Sequence, residues 1–281
     1  MAKDGAFDKL KPKMQTATLV EKTVYANGRL GVFKLKCDAG DRFWYKAGQY
    51  ISMGLDTPEH GFVVRAYSIA GSPLDHGIIE FYIALVDNGH LTPTIFKSEV
   101  GAKFHYLKPV GKFTLEAAAK KTVILVATGT GLAPFVSHVR TLWKLHQSGV
   151  PVSQRIVLFY GSAYADELVY RQELEGYAAD DKFDFTLVCS ASRPDPARGW
   201  TPATGQGRIN EVVRLVLGQD LPAGKTVTLP TGMVVEELRE MIVPAESAFM
   251  TCGNPGMIED LKHPAEKLGI SPYLVEEYWK G

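Results

Sequence analysis

In the run VVRAYSIAGSP, residues 63–73, three side chains can do chemistry: Arg65, Tyr67 and Ser68. Side chains alternate between faces along a strand, so Arg65 and Tyr67 share one face and Ala66 takes the other. A buried cation without a partner is too costly to keep. The face therefore holds either an anion next to a flat surface, or a local carboxylate such as Glu80 with Tyr67 as ordinary core.

Two further stretches read as ligand turns. ATGTGLAPF, residues 127–135, follows a continuous apolar run and opens a helical pattern. Gly129 and Gly131 allow a tight turn and close approach of backbone to a ligand. Pro134 suits the first turn of a helix, where its missing N–H costs nothing. Free amides at such a turn favour a pyrophosphate, with Thr128, Gly129, Thr130 and Gly131 as the cradle. Alone this is weak, because many strand-to-helix turns contain glycine, and Pro134 stands where a GxGxxG fingerprint needs its third glycine. TCGNPGMIEDL, residues 251–261, repeats the strand-turn-helix pattern and puts Cys252 at the carboxyl edge of a sheet, where open α/β proteins bind ligands. A lone cysteine there is otherwise a small buried hydrophobe.

The elements that must position these residues fall into two regimes. From about Ala17 to Leu115 short strands alternate with turns: ATLVEKTVY and LGVFKLKC around ANGR, then FWYKAGQYISMGL, the RAYS strand, GIIEFYIALVD and KFHYLKPVGKFTL, with one short helix in TPTIFKSEV. Many short strands at close spacing predict a small antiparallel barrel. EAAAKK, residues 116–121, reads as the connection between domains. Beyond it TVILVAT, RIVLFYG, FDFTLVCS and SAFMTCG alternate with helical patterns in APFVSHVRTLWKLHQSG, DELVYRQELEGYA, INEVVRLVLG and PGMIEDLKHPAEKLG. That alternation predicts a doubly wound α/β domain with a parallel sheet over residues 122–281. Residues 1–16 read as a flexible tail, and residues 17–115 as the barrel domain.

The chain has 281 residues, enough for about two domains. Lys plus Arg (31) equals Asp plus Glu (31), which argues against a nucleic-acid binder. The three cysteines are sparse and far apart, so neither a disulfide framework nor a Cys-x-x-Cys metal site is expected, and a reducing cytoplasm fits best. The N-terminus lacks the apolar core of a signal peptide, and no run reaches the ~20 apolar residues needed to span a bilayer.

RAYS, the TGTG turn and the TCGNPG turn, in this order and spacing, resemble the ferredoxin–NADP(+) reductase family over nearly the whole chain, from Ala17 to Trp279. EFYIALVDNGHLT and FYGSAYADELVY resemble further segments of its bacterial ferredoxin/flavodoxin reductases. The resemblance implies a FAD-binding antiparallel β-barrel followed by an NADP(H)-binding α/β domain. Arg65 would then pair with the FAD pyrophosphate, Tyr67 would lie on the flavin, and Ser68 would approach its reactive edge. Ala66, Ala84, Val86, Gly89, Leu91 and Thr92 would complete the FAD contacts, the loop Asn88–Thr92 serving the phosphates. Cys252, with Gly253 beside it, would face the nicotinamide.

Arg193 follows Ser192, and Arg208 precedes Ile209, as in the family's pair for the adenosine 2′-phosphate; this favours NADPH. Some bacterial members carry a further arginine where Ala163 stands here, and GWTPATGQG also resembles a segment of NADH-using oxygenase reductases. The chain ends in VEEYWKG, and the resemblance places Tyr278 and Trp279 against the flavin, Trp279 as an aromatic gate that must move during turnover. The implied partner is a ferredoxin or flavodoxin, met by a basic patch for which Lys3, Lys9, Lys11 and Lys13 are candidates; a monomer is favoured. The alternatives are the NADH-dependent reductase component of an oxygenase, or an electron-transfer subunit of a larger complex.

Overall fold

A computed structural model describes the chain except residues 1–6, 8, 39, 41–42 and 278–281. The fold is an antiparallel curled sheet plus a parallel α/β sheet. It divides into two compact units, residues 1–114 with 136–141, and residues 115–135 with 142–281.

The first unit is built on six strands: β1 (Gln15–Tyr25), β2 (Leu30–Cys37), β3 (Tyr50–Thr57), β4 (Gly61–Ser68), β5 (Ile78–Ala84) and β6 (Lys103–Tyr106). They form one sheet in the order β4-β3-β6-β1-β2-β5, and the Ala70 N–H donates to the Glu80 carbonyl at 2.8 Å, bringing its two ends together. The β1–β2 turn uses ANGR as predicted: Ala26, Asn27 and Gly28 all have positive φ, which the asparagine and glycine tolerate. Inside the curl, Phe33, Phe81, Phe104 and Tyr106 are fully buried with Leu19, Leu35 and Ile51. Helix α1 (Thr92–Lys97) is the short helix expected in TPTIFK.

Two expectations shift. The strand in FWYKAGQYISMGL starts only at Tyr50, because Gly48 (φ +87°) and a Gln49-to-Lys46 turn bond of 3.1 Å bend the chain before it. The tail is shorter than predicted, since β1 starts at Gln15 and Lys11 is tied by a 2.6 Å ion pair to Asp56. This pair ties Lys11 to β3 of the first unit.

In the second unit, α2 (Leu115–Ala118) occupies the start of the predicted linker. The chain then alternates through β7 (Thr122–Thr128), α3 (Ala133–Gln147), β8 (Arg155–Ser162), α4 (Arg171–Ala178), β9 (Phe185–Ala191), β10 (Gly205–Gln206), α5 (Ile209–Val216), α6 (Val235–Glu240), β11 (Ser247–Cys252), α7 (Pro255–Lys267) and β12 (Tyr273–Glu276). The sheet is parallel in the order β10-β9-β8-β7-β11-β12. Strands β7, β8 and β11 are apolar and buried along nearly their whole length, as helices on both faces require. From β7 the chain winds one way through β8 to β9, then returns to the other side of β7 as β11. The carboxyl ends of β7 and β11 thus stand at the reversal point, where such sheets open a crevice. DELVY does not join the helix after it: the Glu167 carboxylate accepts from Ser162 Oγ (2.6 Å) and the Tyr164 N–H (3.3 Å), folding residues 165–167 into a 3₁₀ turn.

Candidate functional site

The TGTG and TCGNPG turns lock into each other. Gly253 has φ +127°, and a Cβ there would fall on the Thr128 hydroxyl and backbone. A Cβ on Gly131 would fall on the backbone of Cys252 and Gly253. The approach these glycines permit is sealed by the Asn254 N–H, which donates to Thr128 Oγ1 at 2.6 Å. Asn254 also caps α7, its Oδ1 accepting from the Met257 N–H at 3.2 Å. Cys252 is fully buried, and Thr130 lies in the 3₁₀ turn Gly129–Leu132.

Above this lock lies a cavity of ≈ 510 Å³. Thr128 and Gly129 line it with Ser162, Ala163, Ser192, Arg208 and Asn254. The first glycine turn, the start of the ADELVY segment, the Ser-Arg dipeptide and the Gly-Arg-Ile segment therefore meet at one place. Arg193 stands at the rim: its N–H donates to the Ala163 carbonyl at 2.8 Å and its guanidinium carbon lies 5.8 Å from the Tyr164 ring centre. Among the described residues neither Arg193 nor Arg208 makes an ion pair, so both cations are available to an anionic ligand.

In the first unit, β4 carries Arg65, Ala66, Tyr67 and Ser68. Arg65 is exposed and, among the described residues, its guanidinium donates only to the Val64 carbonyl, at 2.8 Å. The competing reading, a salt bridge to Glu80, does not hold: Glu80 pairs with Arg140 of the same unit at 2.9 Å. Tyr67 packs edge-on to Phe81 (6.2 Å between ring centres), and burial pushes its phenol pKa well up, so it stays neutral. Ser68 is buried at the end of the strand. After β5, which ends at Ala84, Val86 and Thr92 close a loop: the Val86 N–H donates to Thr92 Oγ1 (3.0 Å), which donates back to the Val86 carbonyl (3.2 Å). Gly89 sits in this loop where a Cβ would press on Val86 and Thr92 at 3.0–3.1 Å, and Leu91 anchors it in the core. Asn88 and Gly89 line a second cavity of ≈ 600 Å³ together with the stacked rings of His60 and His90. An unspent guanidinium on the strand and a glycine-cradled loop are the features a bound FAD requires, so the residues fit that group.

Sequence reasoning missed Glu276. It ends β12 directly opposite Cys252, and burial pushes its carboxyl pKa up to about 7. The VEE segment was the available signal, but nothing local marks which glutamate is half-buried. A carboxyl raised in the fold stabilises most while protonated: its contribution is complete below the unfolded value of 4.5 and is lost as pH rises through about 7. Glu276→Gln should therefore flatten the fall in Tm between about pH 5 and 8. Thermal melts across that range check this, and parallel wild-type and variant curves would show that the carboxyl ionises without cost. Tyr278 and Trp279 lie outside the described residues.

Comparison with known proteins agrees with this geometry. Residues 16–115 match the oxidoreductase FAD-binding domain, and residues 125–263 the oxidoreductase NAD-binding domain. A ferredoxin–NADP reductase B of Sorangium cellulosum is 28% identical over 182 residues, 64% of this chain and 70% of that protein. The chain belongs to the ferredoxin–NADP(+) reductase family. It is an oxidoreductase with FAD-binding and NAD(P)-binding domains. Within the family, a Ralstonia naphthalene dioxygenase/salicylate 5-hydroxylase ferredoxin–NAD(P)(+) reductase component is 31% identical over 81% of this chain and 58% of its own length. The fold is that of a Neisseria gonorrhoeae ferredoxin NADP+ reductase solved with FAD and NADP, with a TM-score of 0.73, 20% identity and coverage of 95% of this chain and 99% of that one. Among the described residues no group of three or more His, Cys, Asp or Glu could hold a metal, and no helix is long and apolar enough to cross a membrane.

Proposed function

We propose that this chain is a FAD-dependent reductase that moves electrons between NADP(H) and a ferredoxin or flavodoxin. The observation that carries the reading is the cavity of the second unit, where Thr128 and Gly129 meet Ser192 and Arg208. A glycine turn suits a pyrophosphate, and the unpaired cations Arg193 and Arg208 suit a further phosphate on the adenosine. Bound FAD would supply the exchange of a two-electron hydride for single electrons. Arg65 would hold its pyrophosphate, with Tyr67 and Ser68 beside its ring. Cys252 would take the nicotinamide side, and Trp279 would cover the flavin between turnovers. The three cysteines are too few for a Cys₄ iron–sulfur cluster within these 281 residues, so an iron–sulfur acceptor would lie outside them.

One observation favours a second reading. Ala163 at the cavity wall is not a cation, and the Ralstonia relative serves an oxygenase system; both suit an NADH-dependent reductase component. Anaerobic mixing with NADPH and with NADH, following the visible flavin bands, separates them. Fast bleaching by NADPH and slow bleaching by NADH is expected. A preference for NADH would move the chain to the oxygenase-reductase role.

A further inference from the structure

Ala163 leaves a gap in the cation set, and the fold brings a guanidinium to its neighbour. Arg198 lies 34 residues beyond that neighbour, Tyr164, on the 3₁₀ turn Pro196–Arg198. That turn is fixed at both ends: Asp195 Oδ1 accepts from the Ala197 N–H at 2.9 Å, and Gly199 closes it with φ +75°. The Arg198 guanidinium carbon lies 3.5 Å from the centre of the Tyr164 ring, a close cation–π stack. Its Nε and Nη2 donate to the two oxygens of Asp166 at 3.0 and 2.8 Å, and Nη2 also reaches Glu167 Oε1 at 3.3 Å.

This arrangement holds Arg198 in one pose without using it up. The ring and the Asp166 fork fix the plane of the guanidinium, so little rotamer freedom is left to lose when a ligand binds. Nη1 has no bond among the described residues, so one edge of the fork remains free to donate. Tyr164, the platform, lies between Ala163 and Glu167 in sequence, and Glu167 contacts Ser162, a cavity wall residue. Arg193 lies against the same ring, at 5.8 Å. Two guanidiniums therefore flank one tyrosine, the residue that follows Ala163 of the cavity wall.

We infer that Arg198, held on Tyr164 by Asp166, is a specificity-determining residue that recognises the 2′-phosphate of the coenzyme's adenosine in place of the arginine absent at Ala163. The inference rests on the reading that the coenzyme is NADP(H). Asp166 has two effects: it orients Arg198, and its charge opposes the incoming phosphate. Asp166→Asn keeps an acceptor oxygen for the guanidinium while removing that charge.

The test is titration of the FAD-loaded protein with adenosine 2′,5′-bisphosphate and with 5′-AMP, which differ only in the 2′-phosphate. The wild type should prefer the bisphosphate. Arg198→Met, which keeps an apolar stem on Tyr164, should weaken bisphosphate binding by about tenfold and leave 5′-AMP unchanged. Asp166→Asn should tighten the bisphosphate alone. A wild type that prefers the bisphosphate while Arg198→Met binds both ligands as before would overturn the inference and leave the NADP(H) reading standing. Equal weakening of both ligands would also overturn it, since Arg198 would then only support the loop. A wild type with no preference would remove the NADP(H) reading and this inference with it.

Discussion

Gly253→Ala should weaken dinucleotide binding by about 100-fold or more, the largest loss expected from a single methyl in this chain. Gly253 has φ +127°, where an L side chain is strained. Its Cβ would also meet the Thr128 carbonyl at 2.7 Å and the Thr128 N–H at 3.0 Å. Strain of ~1–3 kcal/mol and overpacking of ~1–3 kcal/mol act on the same few atoms, and the chain can relieve them only by separating the two turns. Separation breaks the Asn254-to-Thr128 bond of 2.6 Å and opens the floor of the cavity. Gly269→Ala, in the loop after α7, is the control. Gly269 also has positive φ (+74°), but a Cβ there meets nothing within 4 Å and it does not line the cavity, so only the backbone strain remains. Titration of NADPH into both variants, with flavin absorbance as a check on the FAD-binding domain, tests the ordering. Similar losses in the two would show that backbone conformation, and not the lock between the turns, governs the site.

The parts of this site that sequence made legible are those encoded by local pattern. Strand-turn-helix punctuation marked Thr128–Gly131 and Cys252–Gly253 as paired turns of one sheet, although either glycine turn alone is a weak signal. Arg65 stood out as a cation in an apolar strand, but the expected burial does not hold: the side chain is exposed, so desolvation does not by itself demand a partner for it. Ser192-Arg193 and Gly207-Arg208-Ile209 were legible only through family resemblance, and the fold brings Ser192, Arg208 and Ile209 of them to the wall of one cavity. What stayed hidden depends on contacts between distant residues. Nothing near Arg198 announces that its partners are Tyr164, Asp166 and Glu167. Glu276 shares its segment with Glu277, and only the pairing of β12 with β11 sets it opposite Cys252. The early start expected for β3 and the helix expected in DELVY failed for a related reason. Apolar content predicted regular structure, while a glycine turn at Gly48 and the Glu167 side chain claimed the backbone instead.

Arg65→Ala should weaken FAD binding by about 10- to 100-fold while leaving the apoprotein as stable as the wild type. Both halves follow from the same geometry. The guanidinium donates only to the carbonyl of its own neighbour, Val64, and pairs with no carboxylate among the described residues. Removing it therefore breaks no tertiary hydrogen bond or ion pair among the described residues, and an exposed side chain of this kind is worth within ~0.5 kcal/mol to the fold. Opposite a pyrophosphate the same group makes charge-assisted bonds of ~1.5–3 kcal/mol, which gives the stated loss. Arg65→Lys should recover only part of the affinity, because an ammonium keeps the charge and lacks the planar fork. Titration of apoprotein with FAD, followed by flavin fluorescence, gives the affinities, and thermal melts of the apoproteins give the stabilities. If Arg65→Ala lowered the apoprotein Tm by several degrees and bound FAD normally, the arginine would be a structural residue. The unspent cation on β4 would then no longer point to a bound pyrophosphate.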